Sequence, residues 1–168
     1  MSDFTEQLVQ QIPRLRRYAR ALTRDRAWAD DLVQDTLERA LQRRWLFRLN
    51  SDIGSWTLTI LHRLYLNSAS RTRRMLPEEA IPEDSVATSD GLGMDIRQAL
   101  ECLSPEHRAV IVLIGLEQVS YKEAAGILGV PVGTVMSRLS RAREQLRERL
   151  TGIAATAGAS TAHLTRVK

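Results

Sequence analysis

The stretch "VGTVMSRLSRAREQL", residues 132–146, places two hydroxyls and two guanidiniums within little more than two helical turns: Thr134, Ser137, Arg138 and Arg141. These groups suit recognition rather than bond making. Near a helix N-terminus they reach base edges and phosphates in a DNA major groove. A plain amphipathic hairpin with surface arginines is the alternative. A second constellation lies in "DRAWADDLVQDTLERALQRRW", 25–45, where Asp31, Asp35, Glu38 and Gln42 share an outer face with Gln34 at its edge. DNA repels such an acidic stripe, so a basic protein surface is the better partner, against the alternative of a merely solvated face. In "SWTLTILHRLYLNSASRTRRM", 55–75, Thr59, His62, Arg63, Leu66, Ser70 and Arg73 point outward, a mix suited to backbone and single-strand contact.

Catalytic chemistry finds no support. There is no glycine-rich phosphate loop and no Ser/His/Asp or Cys/His set. Asp30, Asp31 and Asp35 resemble a carboxylate cluster but lie on an exposed helix, where shifted pKa values are not expected. His62, His107 and His163 are unpaired, and Cys102 is the one cysteine, so neither a metal site nor a disulfide framework is expected. The expectation is a protein that is not an enzyme, with no cofactor, no metal and no small-molecule substrate.

The elements that must position these groups all read as helices. A first helix is expected from about Phe4 to Leu22, and a second from Asp25 as N-cap to about Trp45, burying Leu32, Val33, Thr36, Leu37, Ala40 and Leu41. A polar loop, 49–55, precedes a third helix, 55–75, with Trp56, Ile60, Leu61 and Leu64 inward. "LPEEAIPEDSVATSDGLG", 76–93, has two prolines, two glycines and no helical period, and reads as a flexible linker. Helices resume near Met94. Ser104 is an N-cap with Pro105 in the first turn, and "SYKE" is a capping box of Ser120 and Glu123. Gly129 supplies the turn into the next helix, which buries Val135, Leu139, Ala142 and Leu146. Ala124 and Ala125 allow close crossing, which makes a helix-turn-helix. The tail 151–168, rich in Ala, Thr, Gly and Ser, is expected to be loose.

Charge follows the same division. Residues 1–76 carry 14 Lys/Arg against 8 Asp/Glu, 77–96 carry 6 acids and no base, and 97–150 carry 8 bases against 6 acids. Two basic segments flanking an acidic connector suit a polyanion bound at two places. The N-terminus is not a secretory signal, and no stretch is long and apolar enough to span a membrane, so a cytoplasmic location without membrane insertion is expected.

"DDLVQDTLERAL", "SWTLTIL", the acidic linker, "LSPEHRAVIVL" and "SYKEAAGILGVPVGTVMSRLSRAREQLRERL" together resemble the extracytoplasmic-function sigma factors, small two-domain members of the sigma-70 family. The resemblance covers about residues 5–150. It implies an all-α fold of two small helical domains joined by a flexible linker, 1–75 and 94–150, the second a helix-turn-helix. It implies three partners: RNA polymerase core, through its β′ clamp helices and β flap; promoter DNA; and an anti-sigma protein. Carried over, Asp31, Gln34, Asp35 and Glu38 meet core polymerase. Asn50, Ser51, Asp52, Thr59, His62, Arg63, Ser70 and Arg73 meet the −10 element. Thr134, Ser137, Arg138 and Arg141 read the −35 element. The chain departs from the family where Asn is frequent, at Arg63, and where Lys is frequent, at Met136. A stand-alone helix-turn-helix regulator and a sigma-like decoy for an anti-sigma protein are the rival functions.

Overall fold

The computed structural model describes residues 2–47, 51–75 and 97–161, with side chains over 3–47, 51–70 and 97–152. Asn50, the Arg73 side chain, the linker 76–93 and the restart near Met94 lie outside the described residues. All regular structure among the described residues is helical, and the C-terminal part is a helix-turn-helix.

The single first helix expected from Phe4 to Leu22 is two: α1, Ser2–Gln10, and α2, Ile12–Thr23. Pro13 is the cause. It has no N–H to donate and its ring crowds the preceding turn, so it sits in the first turn of a new helix. Arg24 closes α2 in the left-handed region at φ 61°, its N–H donating to the Arg20 carbonyl at 3.1 Å. Asp25 caps α3, Arg26–Gln42, by accepting from the Trp28 N–H at 2.7 Å. A short 3-10 turn, Arg44–Leu46, follows it. α4, Ile53–Met75, begins within the expected loop because Asp52 caps it.

A short helix, α5, covers 97–101 among the described residues. Ser104 caps α6, Pro105–Ile111, accepting from the His107 N–H at 3.3 Å. The next turn, Val112–Leu116, widens to π-helix and closes with the Glu117 N–H on the Val112 carbonyl at 2.9 Å. α7, Tyr121–Leu128, and α8, Val132–Thr161, form the helix-turn-helix. α8 runs on to Thr161, past the point where a loose tail was expected. Ala154, Ala155, Ala157 and Ala159 are strong helix formers and favour the extension.

One core crosses the whole molecule. Leu15, Tyr18, Leu58 and Leu61 from α2 and α4 join Val110, Leu113, Val135 and Leu139 from the C-terminal helices in a single hydrophobic cluster. α2 packs on α3 and α6, and α4 packs on α3 and α7, so the contacts between N- and C-terminal helices run through α2 and α4. A smaller cluster closes the far end, where Phe4, Phe47 and Trp56 stack with ring centroids 5.3–6.2 Å apart over Leu8, Ala40 and Ile53.

Candidate nucleic-acid and polymerase interfaces

The helix-turn-helix is held at both of its corners. At the start of α7, the Ser120 N–H donates to Glu123 Oε2 at 3.0 Å and the Glu123 N–H donates back to Ser120 Oγ at 3.2 Å. The hydrogen bonds from Ser120 hold the Glu123 carboxyl below the usual carboxylate range. At its end Gly129 takes φ 66°, a left-handed conformation that glycine adopts without strain. Ala124 and Ala125 are buried and let α8 approach closely, while Val135, Leu139 and Ala142 form its buried stripe.

On the opposite face, Ser137 and Arg141 are exposed as expected, and Thr134 is half-buried. Ser137 Oγ donates to the Thr134 carbonyl at 3.1 Å. Arg138 departs from expectation. Its side chain is 24% exposed and its Nη2 lies 3.2 Å from Glu106 Oε2. At about 100° per residue it stands only about 60° from the buried stripe, at the edge of the helix rather than opposite it. Met136 and Ser140 are exposed beside Ser137 and Arg141, and sequence reasoning passed over both. The same angular count finds them.

Along α3, Asp31, Gln34, Asp35 and Glu38 are all exposed in one row, and Gln42 Nε2 donates to Glu38 Oε1 at 3.0 Å. Leu41, expected in the core, is exposed, and Trp45 is 76% exposed. The core face ends at Ala40, which the cluster of Leu8 and Ile53 covers, and no described residue buries Leu41 beyond it. The acidic row therefore runs into an apolar patch.

The third constellation is only partly available. Ser51, Arg63 and Ser70 are exposed. Asp52 is a helix cap, with Oδ2 accepting from the Ser55 N–H at 2.7 Å and Oδ1 from the Gly54 N–H at 3.3 Å. Burial works against its charge, but these bonds and the Arg14 guanidinium outweigh burial and hold its pKa low. Thr59 is half-buried and donates to the Ser55 carbonyl at 2.8 Å. His62, expected to point outward, is 7% exposed. Tyr18 Oη lies 3.0 Å from its Nδ1. Burial, and then the positive charge of Arg138, push the His62 pKa down to about 4. The helical wheel of α4 cannot reveal that the C-terminal helices dock over this face.

The residues that dock them were also missed. The Glu117 side chain is 2% exposed. Its Oε2 accepts from Arg14 Nε at 3.2 Å and from Arg17 Nη2 at 3.1 Å, and its Oε1 accepts from Arg17 Nε at 3.0 Å. Arg14 Nη2 also reaches the Glu117 carbonyl at 3.1 Å. Arg108 is buried and donates to the carbonyls of Leu100, Glu101 and Leu103 at 2.8–3.3 Å and to those of Ala21 and Leu22 at 3.4 Å. It thus puts a cation at the C-terminal end of α2. A single acid inside the apolar run 109–119 was the signal for Glu117.

Among the described residues no cluster of His, Cys, Asp or Glu is placed to hold a metal ion, and no helix is long and apolar enough to cross a membrane. A helix-turn-helix and an exposed acidic helix face thus stand on one helical molecule. The family model "Sigma-70, region 4" matches residues 93–146, and "Sigma2 domain of PhyR" matches residues 8–62. The chain is 37% identical to the ECF RNA polymerase sigma factor EcfG of Rhodopseudomonas palustris, over 80% of this chain and 78% of that protein. It is 34% identical to the sigma factor SigE of Mycolicibacterium smegmatis, over 89% of this chain and 62% of that one. Its fold matches the Bartonella quintana sigma factor RpoE, solved in complex with the anti-sigma factor NepR, at TM-score 0.79 and 36% identity, covering 90% of this chain and 98% of that one. The chain belongs to the extracytoplasmic-function (ECF) family of RNA polymerase sigma factors. It is a sigma factor, directing polymerase to promoters, and its family is one of transcription factors rather than enzymes.

Proposed function

We propose that the two ends of the chain divide the work of initiation. Residues 1–75 bind core polymerase and the −10 element, residues 94–150 read the −35 element, and 76–93 span the distance between them. The observation that carries this is the separation of two chemistries. An exposed acidic row stands on α3, and exposed hydroxyl, guanidinium and thioether groups stand on α8. The row, Asp31, Gln34, Asp35 and Glu38, seeks a basic protein surface, which the clamp helices of β′ would supply. Ser137 and Arg141, with Met136 and Ser140 beside them, enter the major groove at −35, and Arg138 supports them from the edge. Ser51, Thr59, Arg63 and Ser70 serve the −10 strand, and the β flap contacts the C-terminal helices.

The protein acts by binding alone, without a cofactor, in the cytoplasm where polymerase works. A protein of the anti-sigma kind holds it in reserve. The fold likeness to a sigma factor crystallised with such a partner supports this.

Transcription with purified core polymerase tests the division. Adding the chain is expected to give promoter-specific transcripts. Reversing Asp31 and Asp35 to Arg is expected to abolish them while the protein still folds. Transcripts unaffected by the double reversal would reject the polymerase assignment.

A further inference from the structure

Met136 is 52% exposed on α8, one position before Ser137 and one turn before Ser140, both also exposed. A lone exposed apolar side chain needs no partner, but this one stands among the groups offered to the major groove. At about 100° per residue it lies about 100° from the buried Val135, so it leaves the core side of the helix and reaches solvent beside the serines. A cleft of about 340 Å³ opens next to it, between Tyr121 at the start of α7 and Arg143 and Arg147 further along α8, with Glu144 the one acid in its lining. The unbranched side chain therefore has room to move. Two guanidiniums against one carboxylate make this flank net positive, which suits the phosphates of DNA.

What the thioether can read follows from its chemistry. It has no N–H or O–H to donate and is a weak acceptor, so it can neither hold a phosphate nor select guanine, whose N7 and O6 need a donor. One base edge in the major groove is apolar, the C5-methyl of thymine. The neighbouring residue agrees. Ser137 Oγ donates to the Thr134 carbonyl at 3.1 Å, so toward the groove it offers lone pairs only. An acceptor beside an apolar group matches an A·T pair, which presents an adenine N6 amine and a thymine methyl in the same groove. We propose that Met136 sets base choice in the −35 element: its thioether packs on the C5-methyl of one thymine, and the chain selects an A·T pair at that step. The proposal deepens the −35 assignment of α8 and rests on it.

The test uses holoenzyme assembled from the full chain, and a promoter it transcribes, at fixed salt. Each thymine of the −35 element, on either strand, is replaced in turn by deoxyuridine, which removes the methyl and nothing else. One replacement is expected to weaken wild-type binding about fourfold, the contribution of one buried methyl group. Met136→Ala is expected to lose at least the same factor on the unmodified promoter and to be indifferent to that replacement. Met136→Leu, which keeps an apolar side chain of similar size, is expected to retain the sensitivity. Both substitutions place a good helix former at an exposed position, so neither disturbs the fold.

Wild-type binding that no replacement weakens, or a Met136→Ala chain as sensitive as the wild type, would overturn the proposal. A promoter with a scrambled −35 element separates its failure from that of the −35 assignment. Wild-type holoenzyme that rejects the scrambled promoter but ignores every deoxyuridine leaves α8 as the −35 reader and removes Met136 from the reading. Holoenzyme that accepts the scrambled promoter overturns both. Poor assembly of Met136→Ala with core polymerase would assign the side chain to a protein contact and likewise overturn the proposal.

Discussion

The Tyr18 hydroxyl lies 3.0 Å from Nδ1 of His62, both side chains buried at the junction of α2, α4 and the C-terminal helices. Burial pushes the phenol pKa up, so it stays protonated and shares a hydrogen bond with a neutral imidazole. Tyr18→Phe is therefore expected to cost about 1 kcal/mol, more if Nδ1 is left without a partner. A urea melt checks this through a lowered midpoint at unchanged slope.

The same histidine sets a pH dependence. Its folded pKa of about 4 lies below the ordinary 6.5, so the unfolded chain binds the proton more readily. The contribution is present in full above about pH 6.5 and is lost as pH falls toward 4, by roughly 3 kcal/mol. Stability measured across this window is expected to slope upward with pH, and His62→Gln to flatten the slope. An equally steep slope in the variant would assign the effect to other groups.

On α3, Asp31→Arg with Asp35→Arg is expected to weaken binding to core polymerase while moving stability by no more than about 0.5 kcal/mol, because both side chains are exposed. Core binding by fluorescence anisotropy and a thermal melt on the same preparation separate the two effects.

Arg141 and Arg138 are expected to behave differently. Arg141→Ala removes an exposed guanidinium from the reading face and should reduce discrimination between a wild-type promoter and one with a scrambled −35 element by roughly 1–3 kcal/mol. Arg138→Ala loses the ion pair with Glu106 and should change discrimination less. Holoenzyme binding to the two promoters at fixed salt decides. An equal loss in both variants would place Arg138 on the base edges as well.

Gly129→Ala tests the turn. Open space surrounds the position, so no clash contributes, and the cost is that of a left-handed backbone alone, about 1–2 kcal/mol. A melting temperature unchanged from wild type would show that the turn relaxes.

What could be read from the residues was local. Asp25, Ser104 and Ser120 announce their helices because each cap needs only the next turn. The acidic row on α3 and the buried stripe on α8 follow from helical spacing. Pro13 was also legible, yet the apolar period through it was stronger and hid the break. His62 and Glu117 were not legible, because what buries them lies 40 to 100 residues away along the chain, and no local period encodes docking across that distance. Arg138 was misplaced for a smaller reason: a helix face is wide, and its edge turns toward α6 rather than solvent.

Arg108 also carries a consequence for synthesis. The carbonyls of Ala21 and Leu22 to which it donates precede it by 87 and 86 residues. At roughly 5–20 residues per second, the end of α2 leaves the ribosome several seconds before that guanidinium exists. Through that interval water must satisfy those carbonyls, and the apolar face later closed by Val110 and Leu113 stands open. The N-terminal helices of a nascent chain are thus for a time without the covering that the finished chain places on them, and whatever meets the growing polypeptide meets that uncovered form first.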